Sequence, residues 1–335
     1  MTSRELVIRT LNHQPVARIP RDLWVPADED RDGRVDELNE IRLRYPSDIV
    51  PAEVVPLRHR EKTPDQFVDA WGCHWKTLPN GVEHLPTAPL AETSKIASYQ
   101  LPTDLLEPSR FHRISAACQK TSRFVLGWSE VRPFDRLRFL RGNETALHDL
   151  ARHLKATRSL LAMLHDAACK ELELWAATEV DGVVLRDDLA TADGLKMPAA
   201  MWCDVFRPFY CDYCRILHAH DKFVFLQSGG DLSEILGDLV QLGVDAVQGD
   251  LQVMNVERLA KRYRGHITFW GGVARPMLRG EATVDDLREA VLRVRRALDF
   301  GSGGLIAQCQ WETGVRLLPT VHFFEQWLAP LPMRT

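Results

Sequence analysis

Between Lys222 and Asp231 the chain reads KFVFLQSGGD. Phe223 to Leu226 is an unbroken apolar run of strand length, and a strand covered on both faces must be apolar at every position. The run breaks into Gln227, Ser228, Gly229 and Gly230, and Asp231 is placed to cap a helix that opens at Leu232-Ser233-Glu234. A buried strand that ends in small polar residues and feeds a helix is one β/α unit. In such units chemistry gathers at the strand's carboxyl end.

The unit recurs. Strand candidates centre on Leu23, Ile49, Val125, Val183, Val224, Ala246, Thr268 and Ile306, each followed by a helix. Ser3 is expected to cap an amphipathic opening helix that carries Leu6, Val7, Thr10 and Leu11. Further helices are expected over 35–44, 111–120, 135–141, 144–176, 199–220, 232–242, 256–263, 284–300 and 321–327. Residues 56–108 lose this periodicity and are rich in Pro, Trp and turn residues, with Asn80-Gly81 a hairpin signal. Trp71, Trp75 and Leu78 in that stretch need burial, so it reads as an irregular insertion at the mouth, after the second strand. The expected fold is α/β, a (β/α)8 TIM barrel forming a single domain over 1–335. A doubly wound open sheet is the competing architecture, and it would stop before an eighth strand.

Composition narrows the function classes. With 335 residues, a formal net charge of -4 and no Lys/Arg cluster, there is no electrostatic case for nucleic acid. No window approaches the roughly 18 consecutive apolar residues that span a bilayer. The opening MTSRELVIRTLNHQP carries charges where a secretory signal has an apolar core. Seven scattered cysteines, an odd count, point to reduced thiols and a cytoplasmic setting.

In a barrel the carboxyl strand ends share one mouth. Here they carry Trp24, Glu53, Trp128 to Glu130, Arg186 to Asp188, Gln227 to Gly229, Gly249-Asp250, Gly272 and Cys309 to Glu312. Asp187-Asp188 is the most chemical pair: neighbouring carboxylates at a strand tip divide acid and base work or hold a cation. The structural alternative is that one caps the next helix while the other pairs with Arg186. Cys309 with Glu312 supplies a thiol for a soft metal or for nucleophilic attack, or else a small buried apolar group. Cys211 and Cys214 have CxxC spacing close to His218 and His220, but they fall inside a helix with no second CxxC, which favours a core-facing role over zinc. Gly301 to Gly304 precedes its strand and so suits a tight turn on the opposite face. Trp24, Trp128, Trp270 and Trp311 either line a site for a flat ligand or plug the barrel.

Taken in order, ELVIRTLNHQPVARIPRDLW, DAWGCHW, RPFDRLRFLRG, DGVVLRDDLATADGLKMPAAMWCDVFRPFY, KFVFLQSGGDLSEILGDLVQLGVDAV, HITFWGGV and GGLIAQCQW run through nearly the whole chain. Their order and spacing resemble the uroporphyrinogen decarboxylase superfamily, and within it the branch of corrinoid-linked methyltransferases. The resemblance implies a distorted (β/α)8 barrel. The decarboxylase proper grips tetrapyrrole carboxylates with an arginine-rich segment near its amino terminus. The matching region here reads RIPRDLWVPADEDRDG, with acids in that place, so uroporphyrinogen is not the expected substrate.

The methyltransferases of that branch carry His-x-Cys after the fifth strand and a further Cys after the last, which together hold a thiol-activating zinc. Gln227 and Gly229 stand at the first two positions here, with Cys309 near the third. One soft ligand does not define a tetrahedral site, so that zinc is not expected. The resemblance implies an enzyme that transfers a methyl or other one-carbon group on a small organic molecule, with a corrinoid on a partner protein. Asp187 or Asp188 is then the acid, base or cation holder, and Gln227 and Ser228 hydrogen-bond the substrate. Cys309 and Glu312 complete the pocket, and Trp24, Trp128, Glu130, Gly229, Asp250 and Trp311 line it. Two other readings are a lyase that decarboxylates a small carboxylated compound, with an acid protonating the carbon, and a catalytically altered ligand-binding barrel. A homodimer is implied by analogy alone.

Overall fold

A computed structural model of the protein describes residues 1–25, 34–58, 61–63, 66–77, 83–273, 275–312 and 314–329. Eight parallel strands form one sheet: β1 (Arg21–Trp24), β2 (Ile49–Pro51), β3 (Phe124–Trp128), β4 (Gly182–Arg186), β5 (Phe223–Gln227), β6 (Ala246–Gln248), β7 (Thr268–Gly271) and β8 (Leu305–Gln310). From β2 to β8 each pairs with the next in sequence, and β1 pairs in parallel with β8, Arg21 opposite Ala307. β1 and β2 do not form a ladder. The Asp48 amide donates to the Arg21 carbonyl at 2.8 Å and the Leu23 amide to Ser47 Oγ at 3.2 Å, which closes the sheet at its amino end. The molecule is the expected (β/α)8 TIM barrel.

The strands point alternate residues inward. Ile49, Phe124, Leu126, Val184, Phe225, Ala246, Trp270 and Ile306 pack together inside the barrel with Val7 and Leu11 of α1 (Ser3–Leu11). The opening helix is thus the plug at the amino end, its apolar stripe taken up by the barrel core. Its cap is Thr2, not Ser3: Thr2 Oγ1 accepts from the Glu5 amide while the Glu5 carboxylate accepts from the Thr2 amide. Ser3 instead donates to Asp48 Oδ1 at 2.6 Å, tying the plug to the barrel.

The outer layer is α2 (Val35–Arg44), α3 (Pro133–Arg141), α4 (Asn143–Ala151), α5 (Lys155–Ala176), α6 (Arg207–His218), α7 (Leu236–Leu242), α8 (Val256–Tyr263), α9 (Val284–Leu298) and α10 (Leu317–Leu328). The helix expected over 144–176 is two helices, because His153 takes a left-handed φ of 54° that no α-helix continues through. The helix expected over 199–220 contains a π-helical segment, Trp202–Phe206, directly before Pro208, whose missing N–H displaces the ladder. Helix 111–120 shortens to Ile114–Cys118. Asp231 does not cap at Leu232; its Oδ1 accepts from the Ser233 amide at 2.8 Å and makes a turn, and α7 starts later, at Leu236.

The insertion is more ordered than its composition suggests. Glu61–Lys62, Gln66–Val68, His74–Thr77 and Glu83–Thr87 form a four-stranded antiparallel sheet. Asn80, Gly81 and Leu78 lie outside the described residues, and the strands on either side of them pair antiparallel, as a hairpin requires. Trp71 is buried and Trp75 half-buried, with the Phe139 ring of α3 edge-on to Trp75 at 5.0 Å. No helix among the described residues is long and apolar enough to cross a membrane.

Candidate active site at the carboxyl ends of the strands

A cleft of about 660 Å³ opens where β4 to β8 end. Its floor is made of amides: Gln227 of β5, Gln248 of β6, and Gln308 and Gln310 of β8. Register explains why they meet. Gln227 is the Cα partner of Gln248, and residues paired across parallel strands point the same way. On β8 only every second residue faces in, so Gln308 and Gln310 reach the cleft while Cys309 between them does not.

Gln248 Nε2 donates to Gln308 Oε1 at 2.9 Å, and Gln310 Nε2 donates to Glu312 Oε2 at 2.8 Å. Gln308 is 7% exposed, and its Nε2 is buried with no hydrogen-bond acceptor. Glycines let the chain pass close to this floor. A Cβ on Gly230, whose φ is 70°, would sit 2.3 Å from the Thr191 carbonyl oxygen. One on Gly272 would sit 2.4 Å from that of Gln308.

Charged groups stand around the floor: Arg132, Asp135 and Arg138 from the start of α3, Arg186 and Asp188 after β4, and Asp250 after β6. The two adjacent carboxylates serve different ends. Asp187 is buried and turned away from the cleft, accepting from the Phe134 amide at 3.0 Å, the Asp135 amide at 2.8 Å and the Tyr210 hydroxyl at 3.1 Å. It caps the first turn of α3 from another element. Burial first, and then the nearby Asp135, push its pKa up to about 7 against those three donors. Asp188 is half-exposed in the cleft, pairs with Lys196, and accepts from the Gly229 amide at 3.3 Å.

The remaining sequence candidates divide in the same way. Ser228 borders the cleft but is buried, its Oγ accepting from the Leu189 amide at 2.9 Å and donating to the Gly229 carbonyl. Gln227, Gly229 and Asp250 line the cleft directly. Glu312 lies beyond the end of β8, 3.0 Å from Arg279, and Glu53 is exposed; neither lines the cleft. Cys309 is buried on the outer side of β8, and burial and then Asp22 push its thiol pKa up, which leaves it a packed apolar group. Trp311 is buried away from the cleft beneath the Arg34 guanidinium at 4.6 Å. Glu130 lies 3.8 Å from Arg110 in an adjoining annex.

Trp24 and Trp128 stack at 4.9 Å and line a smaller cavity of about 320 Å³ between β1 and β2. Below them Trp270 plugs the barrel and donates from Nε1 to Asp22 Oδ2 at 2.8 Å. Asp22 is an inward carboxylate that sequence reasoning passed over. Burial pushes its pKa up to about 7, opposed by the Trp270 hydrogen bond. The available signal was its spacing of two from Trp24 on one strand.

Cys211 is exposed and Cys214 buried, and His218 bonds Asp245 at 2.9 Å. Among the described residues no group of three or more His, Cys, Asp or Glu side chains is placed to hold a metal ion. The zinc of the methyltransferase branch does not fit this donor set. Gln227 offers an amide, Gly229 no side chain, and Cys309 a thiol on the wrong face of its strand.

No protein-family model matches the chain, and no curated protein matches it. Among solved structures it is similar to a methyltransferase from Methanosarcina mazei, with a TM-score of 0.70 at 12% sequence identity, covering 98% of each chain. The likeness is one of fold. It extends over the insertion as well as the barrel, because nearly all of both chains is covered.

Proposed function

We propose that this protein is an enzyme that moves a methyl or other one-carbon group to or from a small polar molecule bound in the cleft, with a corrinoid-bearing protein as partner. The observation that carries this reading is the cleft itself: an open basin at the carboxyl ends, floored by Gln227, Gln248, Gln308 and Gln310 and set in a fold similar along its whole length to a methyltransferase. The corrinoid, carried by the partner, would give or take the methyl group as a cation equivalent. This chain's residues then bind and orient the small molecule. The amides contact its polar atoms without adding charge. Asp188, held by Lys196 and the Gly229 amide, takes the proton that an acceptor must lose when it gains a methyl group.

Arg132 and Arg186 on the same cleft favour a carboxylated substrate as well, and so keep decarboxylation as the second reading. One assay separates the two. The purified protein is mixed with free methylcobalamin or reduced cobalamin and a panel of methylated and acceptor compounds, and the visible spectrum of the cobalamin is followed. Protein-dependent methylation or demethylation supports the first reading. No spectral change, with carbon dioxide released from a carboxylated member of the panel, replaces it with the second.

A further inference from the structure

Beside the cleft, between the sheet of the insertion and α3, lies an annex of about 530 Å³. Arg132, Phe139 and Arg186 border both cavities, so the annex opens into the cleft. Its inner wall is Trp71 and Arg136, with the Arg136 guanidinium stacked over the Trp71 ring at 4.0 Å. Trp71 is 2% exposed and Arg136 3%. Both leave a buried donor without an acceptor, Nε1 of Trp71 and Nε of Arg136. Buried donors are almost always satisfied, so two unsatisfied ones side by side call for an acceptor from outside the chain.

Of the two carboxylates of the annex, Asp69 is held by hydrogen bonds within the insertion and Glu130 stands beside a cation. Asp69 accepts from the amides of Trp71 at 2.9 Å and Cys73 at 2.8 Å and from Trp75 Nε1 at 3.0 Å, and stands 3.5 Å from Arg136 Nη1. Glu130 lies 3.8 Å from Arg110. Arg132, Arg136 and Arg186 face the same space, with Asp135 3.9 Å from Arg132. Burial, and then Arg132, push the pKa of Arg136 down, against Asp69 and Glu130. Phe67, Trp75 and Phe139 supply flat apolar surface next to the donors.

We infer that the annex is a binding site for an anionic group, a carboxylate or a phosphate, carried on a flat or aromatic body, with the anion on Trp71 Nε1 and the arginines and the body against the rings. Guanidinium groups match either oxyanion, and the aromatic wall selects what carries it. The site shares Arg132 and Arg186 with the cleft, so it is read by binding to variants of residues that line the annex alone.

The test is calorimetric titration of the whole protein with benzoate, with its neutral isostere benzamide, and with inorganic phosphate. Benzoate is expected to bind at one site, benzamide at least tenfold more weakly. Phe67→Ala, at a ring that lines the annex and not the cleft, and Trp71→Phe, which keeps a ring but deletes the donor, are each expected to weaken benzoate at least fivefold. Should Trp71→Phe not fold, Phe67→Ala carries the comparison by itself. Competition by phosphate would extend the ligand class to phosphates, and lack of competition would restrict it to carboxylates; both support the site. Benzoate that does not bind, that binds no better than benzamide, or that is indifferent to Phe67→Ala overturns the inference.

Discussion

Gln248 donates to Gln308 across 2.9 Å, and that bond fixes the Gln308 amide with its own Nε2 group buried and without a partner at the cleft floor. An unsatisfied buried donor costs about 1–3 kcal/mol, and a ligand oxygen that reaches it recovers the loss. Gln308→Leu is therefore expected to leave stability within about 1 kcal/mol of the parent while lowering kcat/KM at least tenfold on whichever substrate the cobalamin assay identifies. Urea denaturation and steady-state kinetics on the same preparation check both halves. A less active but equally stable variant is the expected pair of results, and unchanged kinetics would remove Gln308 from the site.

Asp187 and Asp188 are neighbours with opposite expected phenotypes. Asp187→Ala strips the α3 amides and Tyr210 of their buried acceptor and is expected to cost about 2–4 kcal/mol of stability. Asp188→Ala is expected to change stability by less than about 1 kcal/mol, since its partner Lys196 is a partly exposed ion pair, and to abolish turnover. Equilibrium unfolding of the two variants, compared with activity, decides whether the roles are divided as the geometry divides them.

Asp22 makes stability depend on pH. In the unfolded chain its carboxyl ionises near 3.8, whereas in the barrel it keeps its proton to about 7. Between those values the folded state binds more protons than the unfolded, so stability falls as pH rises through the window and stays reduced above it. Asp22→Asn cannot ionise. Relative to the parent it is expected to gain stability between pH 4 and pH 8, by up to roughly 4 kcal/mol. Asp187 adds a slope of the same sign in both proteins, and subtraction cancels it. Denaturation at pH 5 and pH 8 is the measurement, and parallel curves would mean that Asp22 is charged in the fold.

Thiol titration tests the placement of Cys309. Of the seven cysteines, Cys203 and Cys211 are exposed, Cys169 is half-buried, and Cys73, Cys118, Cys214 and Cys309 are buried. A bulky disulfide reagent is expected to modify Cys203 and Cys211 rapidly in the native protein and to reach Cys309 only on unfolding. Rapid labelling of Cys309, read by peptide mass spectrometry, would put it back at the mouth.

The barrel was legible because each β/α unit announces itself locally. Phe223 to Leu226 is apolar throughout, Gly229 and Gly230 break it, and no distant contact is needed to see this. The mouth was legible as a set of strand ends but not as a set of side chains. Which of Gln308, Cys309 and Gln310 faces in is a matter of one residue of register, and register is fixed by the pairing of β8 with β1 and β7, not by the run itself. The same holds for Asp187: its two backbone partners lie 52 and 53 residues away, at the start of a helix that composition alone does not bring near. The annex was out of reach for the same reason, since Trp71 and Arg136 meet only after the insertion folds back on α3.

The pairing of Arg21 with Ala307 joins the first strand to the last. A ribosome releases β1 early and β8 only near the end of synthesis, so the first strand spends most of translation without the edge it is built to meet. Closure is the latest event available to this chain, and it is slow in the way that pairings of great sequence separation are slow. The plug helix is partly settled before then, because Ile49, Phe124 and Leu126 of β2 and β3 share its cluster with the late Ile306. A nascent chain stalled before residue 305 would leave the edge of β1 unpaired, and would be a natural client for chaperones.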